Sequence, residues 1–142
     1  MRAQLDENLP PALARALHCL AEDDGHSVTH VTAVVPRGTP DVELLLETSK
    51  LGVHVHITQD HHHRRPNERD TIATLSMAVF VLAKGWQGQP FFDKAARLVQ
   101  WWPRIVEQAE ATKPPAIFLV PWSVGAKGRF ERIKVSSVKT RR

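Results

Sequence analysis

Arg2-Ala-Gln-Leu-Asp-Glu-Asn-Leu-Pro-Pro11 is the stretch that decides the fold of this chain. Its first residues form a short strand-like run, which ends in two carboxylates, Asp6 and Glu7. Asn8 is typical of a helix N-cap, and prolines suit the first helical turn because the N–H that they lack has no partner there. A strand followed by a helix places Asp6 where open α/β sheets have their binding crevice. The stretch therefore predicts an acidic site at the mouth of the first strand.

Two further acids stand at comparable junctions of the predicted elements. Asp60 ends the apolar run that begins at Val53, and Asp41 lies in the first turn of a predicted helix. Because the carboxyl ends of parallel strands meet at one edge of a sheet, we expect Asp6, Asp41 and Asp60 to converge. Glu7 and Glu43 are alternative acids whose side chains are expected to point away.

Strands and helices alternate along the rest of the chain. Besides the opening strand, the pattern predicts strands over 27–35, 53–58, 77–83 and 116–120. Thr39 is the predicted N-cap of the second helix, with Pro40 at its first position. The run 77–83 is continuously apolar, which is typical of a strand buried on both faces. This order predicts a three-layer α/β/α sandwich with a mainly parallel five-stranded sheet.

The stretch from 92 to 109 has helical periodicity, with a kink or a restart expected at Pro103. Trp101 and Trp102 are adjacent on this helix, so one of them is expected to be packed and the other partly exposed.

Length and composition indicate one domain with an ordinary globular core. The chain has 142 residues, one cysteine and a net charge of +4. Residues 127–142 hold seven basic residues against one acid, a net of +6, so the rest of the chain carries −2. We therefore expect a domain over 1–126 and a basic C-terminal segment over 127–142. No secretory or membrane segment is evident, and a cytoplasmic protein is the expectation.

Carboxylates that share one mouth repel each other unless a counter-charge is present. A hard divalent cation such as Mg²⁺ or Mn²⁺ resolves the repulsion, because it prefers oxygen ligands. Each acid also has a simpler interpretation. Asp6 could cap a helix, Asp41 could serve only the helix dipole, and Asp60 could be an ordinary turn residue.

Three short motifs resemble those of a known family. Leu5-Asp-Glu-Asn-Leu-Pro10, Thr39-Pro-Asp-Val-Glu-Leu44 and Ile57-Thr-Gln-Asp60 are similar to the successive acidic motifs of PIN-like domains, above all the VapC-type toxins of bacterial VapBC toxin–antitoxin modules. The resemblance implies a PIN-like domain over 1–126 and a Mg²⁺- or Mn²⁺-dependent ribonuclease. It also implies an antitoxin partner, a homodimer, and Asp6, Asp41 and Asp60 as catalytic metal ligands.

The chain departs from that pattern directly after Asp60. Relatives often place a further acid there, whereas this chain has His61, His62 and His63. Glu68 and Asp70 are the next candidates for a fourth acidic ligand. A zinc site formed by these three histidines with His54 and His56 is a minor alternative, because no cysteine joins them.

Basic residues on both sides of the predicted domain boundary could contact RNA. Arginine pairs bind phosphate in a bidentate manner, and a basic terminus can follow a nucleic-acid backbone. The predicted RNA-binding residues are Arg64, Arg65, Lys127 and Arg129. The basic terminus could equally meet an acidic segment of the antitoxin.

Two other functions stay open. A non-catalytic PIN-like interaction domain would explain the missing acid after Asp60. A phosphoreceiver-like signalling domain would use Asp6, Glu7 and Asp60, but it would also need a hydroxyl residue after the fourth strand and a lysine before Pro121. The sequence has Leu82-Ala-Lys84 and Val120 at those places.

Overall fold

The computed structural model of the chain describes residues 1–59, 66–125 and 130–135. Within these ranges strands and helices alternate in the predicted order. The elements are β1 (Arg2–Leu5), α1 (Pro11–Ala21), β2 (Ser27–His30), α2 (Asp41–Lys50), β3 (Val55–Thr58), α3 (Pro66–Ile72), β4 (Ala78–Leu82), α4 (Phe91–Ala111), β5 (Ala116–Val120) and β6 (Glu131–Ile133). None of the helices in this part of the chain is both long enough and apolar enough to cross a membrane.

The strands form one sheet in the order β2-β1-β3-β4-β5-β6. The first five pair in parallel, and β6 pairs with β5 in the antiparallel direction. The described residues therefore form six strands, and the predicted count of five is wrong by one edge strand. Strand β6 escaped prediction because it is only three residues long and largely exposed, so no apolar pattern marks it. It lies within the basic segment 127–142, which thus contributes a strand to the sheet.

Helices cover both faces of the sheet, which gives the predicted three-layer sandwich. On one face α1 and α4 close a core that includes Leu17 and Trp101. On the other face α2 and α3 close a second core, which includes Leu44 and Ile72. Strand β4 lies between the two cores and all five of its residues are buried, as its apolar sequence predicts.

The helices that follow β1 and β2 begin differently from the prediction. Helix α1 has Pro10 as its N-cap, so Asn8 is not the cap. Helix α2 has Pro40 as its N-cap in place of Thr39. The hydroxyl of Thr39 instead donates to the Pro36 carbonyl at 2.6 Å. Short polar side chains can bond to loop backbone as readily as to a helix end, and here the loop contact is formed.

Strand β2 is shorter than the predicted 27–35. It ends at His30, whose ring Nδ1 accepts from the amide of Thr32 at 3.3 Å. This local bond accompanies a 3₁₀ turn over Val31–Ala33. The β-branched residues after His30 are therefore part of a turn, because the side-chain contact outweighs their preference for strand.

Helix α4 differs from expectation at two points. It continues through Pro103 without a restart. Trp101 and Trp102 are both buried, with 0% and 8% of their surface exposed, so the expectation that one would be partly exposed is wrong. The Trp101 ring lies 5.0 Å from that of Phe130, and the Trp102 ring lies 6.3 Å from that of His26. Neighbours on two sides of the helix thus bury both indoles.

Candidate functional site

The strand order creates a crevice at the carboxyl ends of β1 and β3. From β1 the chain moves to β2 on one side and then crosses to β3 on the other, so the direction of winding reverses between β1 and β3. In open α/β sheets ligands bind at such a switch point, outside the carboxyl ends of the strands. Asp6 directly follows β1 and Gln59 directly follows β3, so both ends present polar residues to the crevice.

Asp6 is buried and its carboxylate is held in one orientation. Only 3% of its surface is exposed. Oδ1 accepts from the Glu7 amide at 2.8 Å, and Oδ2 accepts from the hydroxyl of Thr58 at 2.6 Å. Nε2 of His56 faces Oδ2 at 3.7 Å, which is beyond hydrogen-bond distance. These contacts hold the Asp6 carboxylate in one orientation at the mouth of β1.

Asp6 and Asp41 line the same cleft, which has a volume of about 450 Å³. The cleft is formed by the end of β1, the loop before α2 and the first turn of α2. The described residues that line it are Asp6, Glu7, Asn8, Arg37, Gly38, Thr39, Pro40, Asp41 and Leu44. The structure thus brings two of the three predicted acids to one place, although they lie 35 positions apart in the sequence.

Glu7 does not point away, and the expectation that it would is wrong. Its Oε1 accepts from the Gly38 amide at 2.8 Å, and its Oε2 lies 4.0 Å from Nη1 of Arg37. Gly38 has a φ of 87°, a conformation that favours glycine. Glu7 therefore fixes the loop that leads into Asp41. Glu43, by contrast, is exposed and is not among the described residues of the cleft.

The remaining predicted site residues can be placed only in part. Glu68 and Asp70 are described, and neither is among the described residues that line the cleft. Asp60 follows Gln59 at the end of β3, but it lies outside the described residues. So do His61, His62 and His63 and the four predicted RNA-binding residues, Arg64, Arg65, Lys127 and Arg129.

The donor set fits a hard divalent cation in its chemistry. Mg²⁺ is commonly bound by one or two carboxylates and keeps several waters, so Asp6 and Asp41 supply the right kind and number of ligands. Thr58 and the Glu7 amide orient Asp6 as outer-shell partners orient metal ligands. In the part of the chain that the structure describes, no group of three histidine, cysteine, aspartate or glutamate side chains could hold a metal ion. Asp60, the third predicted acid, is not in that part.

The rim of the crevice is connected from β1 to α4 by hydrogen bonds. Oδ1 of Asn8 accepts from the Gln59 amide at 3.3 Å. Oε1 of Gln59 accepts from Nζ of Lys94 at 2.8 Å. A half-buried ammonium group is therefore held at Gln59, which follows the carboxyl end of β3.

Sequence analysis did not identify the buried polar residues that lie next to Asp6 on the same face of the sheet. Gln4 and Asp6 are two positions apart at β1, and His56 and Thr58 are two positions apart on β3, so each pair lies on one face. The strand register places Gln4 directly opposite His56. Polar residues at alternate positions of two otherwise apolar strands are the signal that could have found them. No comparable signal marks Thr48 on α2, whose hydroxyl accepts from Nε2 of Gln4.

The fold and the cleft define a doubly wound α/β domain with paired carboxylates at its switch point. A family model described as a PIN like domain matches residues 1–84. That match spans β1 to β4, includes Asp6 and Asp41, and covers more than half of the chain. The chain therefore belongs to the PIN-like domain family. Among curated proteins none matches the sequence significantly.

Proposed function

We propose that this protein is a metal-dependent endoribonuclease that acts as the toxin of a type II toxin–antitoxin module. The observation that carries the proposal is the cleft shared by Asp6 and Asp41 at the switch point of the sheet. Membership of the PIN-like family supports it, because PIN-like domains are often nucleases. The motifs similar to those of VapC-type toxins support the toxin role.

In this proposal Asp6, Asp41 and Asp60 hold Mg²⁺ or Mn²⁺ and are the catalytic residues. A divalent ion bound there supplies an activated water and stabilises negative charge on a phosphodiester. The protein contributes ligands that are already oriented. Thr58 and the Glu7 amide hold the Asp6 carboxylate, and Glu7 also holds the loop before Asp41. Prearranged groups need little reorganisation during the reaction, which is the main source of electrostatic catalysis.

Cations around the crevice are the proposed contacts for RNA phosphates. Arg37 lines the cleft and its side chain is 67% exposed, so its guanidinium can contact a phosphate beside its long pair with Glu7. Lys94 is held at the rim by Gln59. The proposal also includes Arg64, Arg65, Lys127 and Arg129, which lie outside the described residues.

The proposal is tested by cleavage of a labelled single-stranded RNA by the purified chain in Mg²⁺ or Mn²⁺. We expect Asp6→Asn and Asp41→Asn to lower the rate about 100-fold or more. Several kcal/mol of charge stabilisation depend on the bound ion, and about 1.4 kcal/mol corresponds to a tenfold change in rate. Thermal unfolding should show that both variants remain folded.

Glu43→Gln is the matched control, because Glu43 lies in the same helical turn as Asp41 but outside the cleft lining. It should cleave at the wild-type rate. Unchanged cleavage by Asp6→Asn, or cleavage by the wild type that persists in excess chelator, would contradict the proposal.

The biological part of the proposal concerns growth and partners. Expression of the wild-type chain in a bacterial host should arrest growth, and Asp6→Asn should restore it. An antitoxin protein that blocks the cleft, a homodimer and a cytoplasmic location complete the proposal. Sedimentation of the purified chain tests the dimer, and normal growth during verified expression of active wild type would argue against a toxin.

A second candidate function is a non-catalytic interaction domain on the PIN-like scaffold. It is favoured by one observation: both oxygens of Asp6 already accept hydrogen bonds from within the protein. Calorimetry with Mn²⁺ separates the two functions. A nuclease should bind the ion, whereas a scaffold should show no binding at millimolar Mn²⁺.

The phosphoreceiver-like alternative shares the strand order 2-1-3-4-5 with this sheet. It is not favoured, because Ala83 and Lys84 follow β4 without a hydroxyl and Val120 precedes Pro121 in place of a lysine.

A further inference from the structure

A line of buried polar side chains runs beneath the cleft from Thr48 on α2 through Gln4 to His56, which faces Asp6. The hydroxyl of Thr48 lies 3.0 Å from Nε2 of Gln4, and the same Gln4 nitrogen lies 2.9 Å from Nδ1 of His56. Nε2 of His56 in turn faces Oδ2 of Asp6 at 3.7 Å. Thr48, Gln4 and His56 are each fully buried. Polar side chains are rarely placed so deep in a core without a structural or functional reason.

The donors and acceptors along this line are fixed at its α2 end. The Thr48 hydroxyl has one proton, which it donates to the Leu44 carbonyl at 2.9 Å. Its oxygen is therefore the acceptor for the Gln4 amide. The second N–H of that amide points to Nδ1 of His56, which must then accept. In a neutral imidazole whose Nδ1 accepts, the proton is on Nε2, the nitrogen that faces Asp6.

The opposite orientation of the Gln4 amide is disfavoured at both ends. The amide oxygen would meet the Thr48 oxygen, whose proton is already given to Leu44. Nδ1 of His56 would then carry the proton, and the bare Nε2 would face the carboxylate of Asp6 as one acceptor faces another. The arrangement with the proton on Nε2 avoids both conflicts.

We propose that His56 is a positioning residue for Asp6, and that Thr48 and Gln4 select the His56 tautomer that directs an N–H at the Asp6 carboxylate. This inference rests on the proposed function, in which Asp6 is a metal ligand. Thr58 bonds to Oδ2 from one side and His56 faces the same oxygen, so the carboxylate is held for a ligand in the cleft.

The line of polar side chains also joins the two acids of the cleft. Thr48 lies on α2, two turns after Asp41, which is in the first turn of the same helix. Gln4 and His56 lie on β1 and β3. A change at Thr48 therefore acts on Asp6 through three side chains, although Thr48 is not among the described residues of the cleft.

The first test is the tautomer of His56 in the folded wild-type chain, read from the ¹⁵N shifts of its imidazole by long-range ¹H–¹⁵N NMR. The signal is assigned by its loss in His56→Gln. We expect a protonated Nε2 and a bare Nδ1 in the wild type. In Gln4→Met, where the amide is gone, the preference should weaken. A wild-type ring that is protonated on Nδ1 would overturn the proposal.

The second test is Mn²⁺ affinity, measured by calorimetry on folded protein. His56→Leu should bind Mn²⁺ about 10–100-fold more weakly, the usual effect of losing an outer-shell partner. His56→Gln should restore most of the affinity, because its amide N–H takes the place of Nε2–H. The matched control is Val55→Ala, a buried neighbour on the same strand that faces the opposite core. It should destabilise the fold and leave the Mn²⁺ affinity unchanged.

The outcomes separate this inference from the proposed function. If the wild type binds Mn²⁺ and His56→Leu binds it as tightly as Val55→Ala does, the positioning role is wrong and the nuclease proposal stands. Failure of His56→Gln to restore affinity, in a folded protein, would also overturn the role of the N–H. If the wild type binds no Mn²⁺, the proposed function fails and the role of His56 at a metal site fails with it.

Discussion

The two faces of the sheet carry different kinds of buried side chain. The face covered by α1 and α4 is lined by aliphatic and aromatic residues, among them Phe80, Phe118 and Trp101. The face covered by α2 and α3 also has an apolar core, but it includes the polar line from Thr48 to Asp6. Among the described residues, Leu44 of this second core lines the cleft together with Asp6.

The difference between the two faces shows how one sheet can provide both a stable core and a functional site. Apolar burial on the α1–α4 face stabilises the fold without directional contacts. On the other face Thr48, Gln4 and His56 bond to one another, which offsets part of the cost of burying them. Asp6 is oriented on the same face by its bonds to Thr58 and to the Glu7 amide. The comparison predicts that substitutions on the first face change stability alone, whereas substitutions in the polar line change both stability and metal affinity.

The largest effect is expected for Phe80→Ala on the apolar face. Phe80 is fully buried and its ring stacks on that of Phe118 at 5.2 Å. Its truncation should lower the free energy of unfolding by about 3–5 kcal/mol, because it leaves a cavity in the core. Urea unfolding measures this loss. The Mn²⁺ affinity of the remaining folded protein should match that of the wild type. A large loss of affinity would contradict the prediction that substitutions on this face change stability alone.

A smaller effect is expected for Thr48→Val on the polar face. Valine has a similar shape but cannot accept from Gln4, so a buried amide donor loses its partner. The free energy of unfolding should fall by about 1–3 kcal/mol, the cost of an unsatisfied buried polar group. Mn²⁺ binding should weaken as well, since the tautomer of His56 is no longer selected.

Thr74→Val is the matched control for this substitution. The Thr74 hydroxyl also donates to a backbone carbonyl, that of Thr71 at 2.7 Å, but the residue is exposed. Its replacement should change stability by no more than about 0.5 kcal/mol, as is usual at the surface. Equal effects of the two substitutions would show that burial of the polar line has no energetic role.

The smallest effect is expected for Glu7→Gln at the edge of the cleft. The pair that Glu7 forms with Arg37 is long, and the two side chains are 31% and 67% exposed. Such pairs contribute at most about 1 kcal/mol, and the glutamine can still accept from the Gly38 amide. The free energy of unfolding should barely change. The part of it that varies with salt concentration through the Glu7–Arg37 pair should disappear. Glu7→Ala, which also removes the bond to Gly38, is the more disruptive comparison, and equal behaviour of the two variants would contradict a role for Glu7 in holding the loop.

The sequence predicted the order of elements well, because proline and glycine mark the boundaries and β4 is continuously apolar. Sequence analysis placed the element boundaries wrongly where local backbone geometry decides them. His30 turns the chain after four residues of β2, and Pro10 takes the cap position predicted for Asn8. Strand β6 forms by pairing with β5, a long-range contact that no local pattern of residues 131–133 announces.

The shared location of Asp6 and Asp41 was predictable from the sequence, but the side chains that surround Asp6 were not. Asp6 and Asp41 stand at element junctions, where topology alone brings side chains together. The contacts of Gln4 join residues that are 44 and 52 positions apart in the sequence, and their distances depend on the packing of α2 over the sheet. In the sequence alone Gln4 is simply a polar residue in a central strand. The position of Glu7 likewise depends on the shape of the loop at Gly38.

The most direct test of the account is a crystal structure of the wild-type chain soaked in Mn²⁺, with the ion located by its anomalous signal. The account predicts one or two Mn²⁺ ions in the cleft, coordinated by carboxylate oxygens of both Asp6 and Asp41 and completed by Asp60 or water. An anomalous map with no ion at these carboxylates, in a crystal where the cleft is open to solvent, would contradict a metal centre at the switch point.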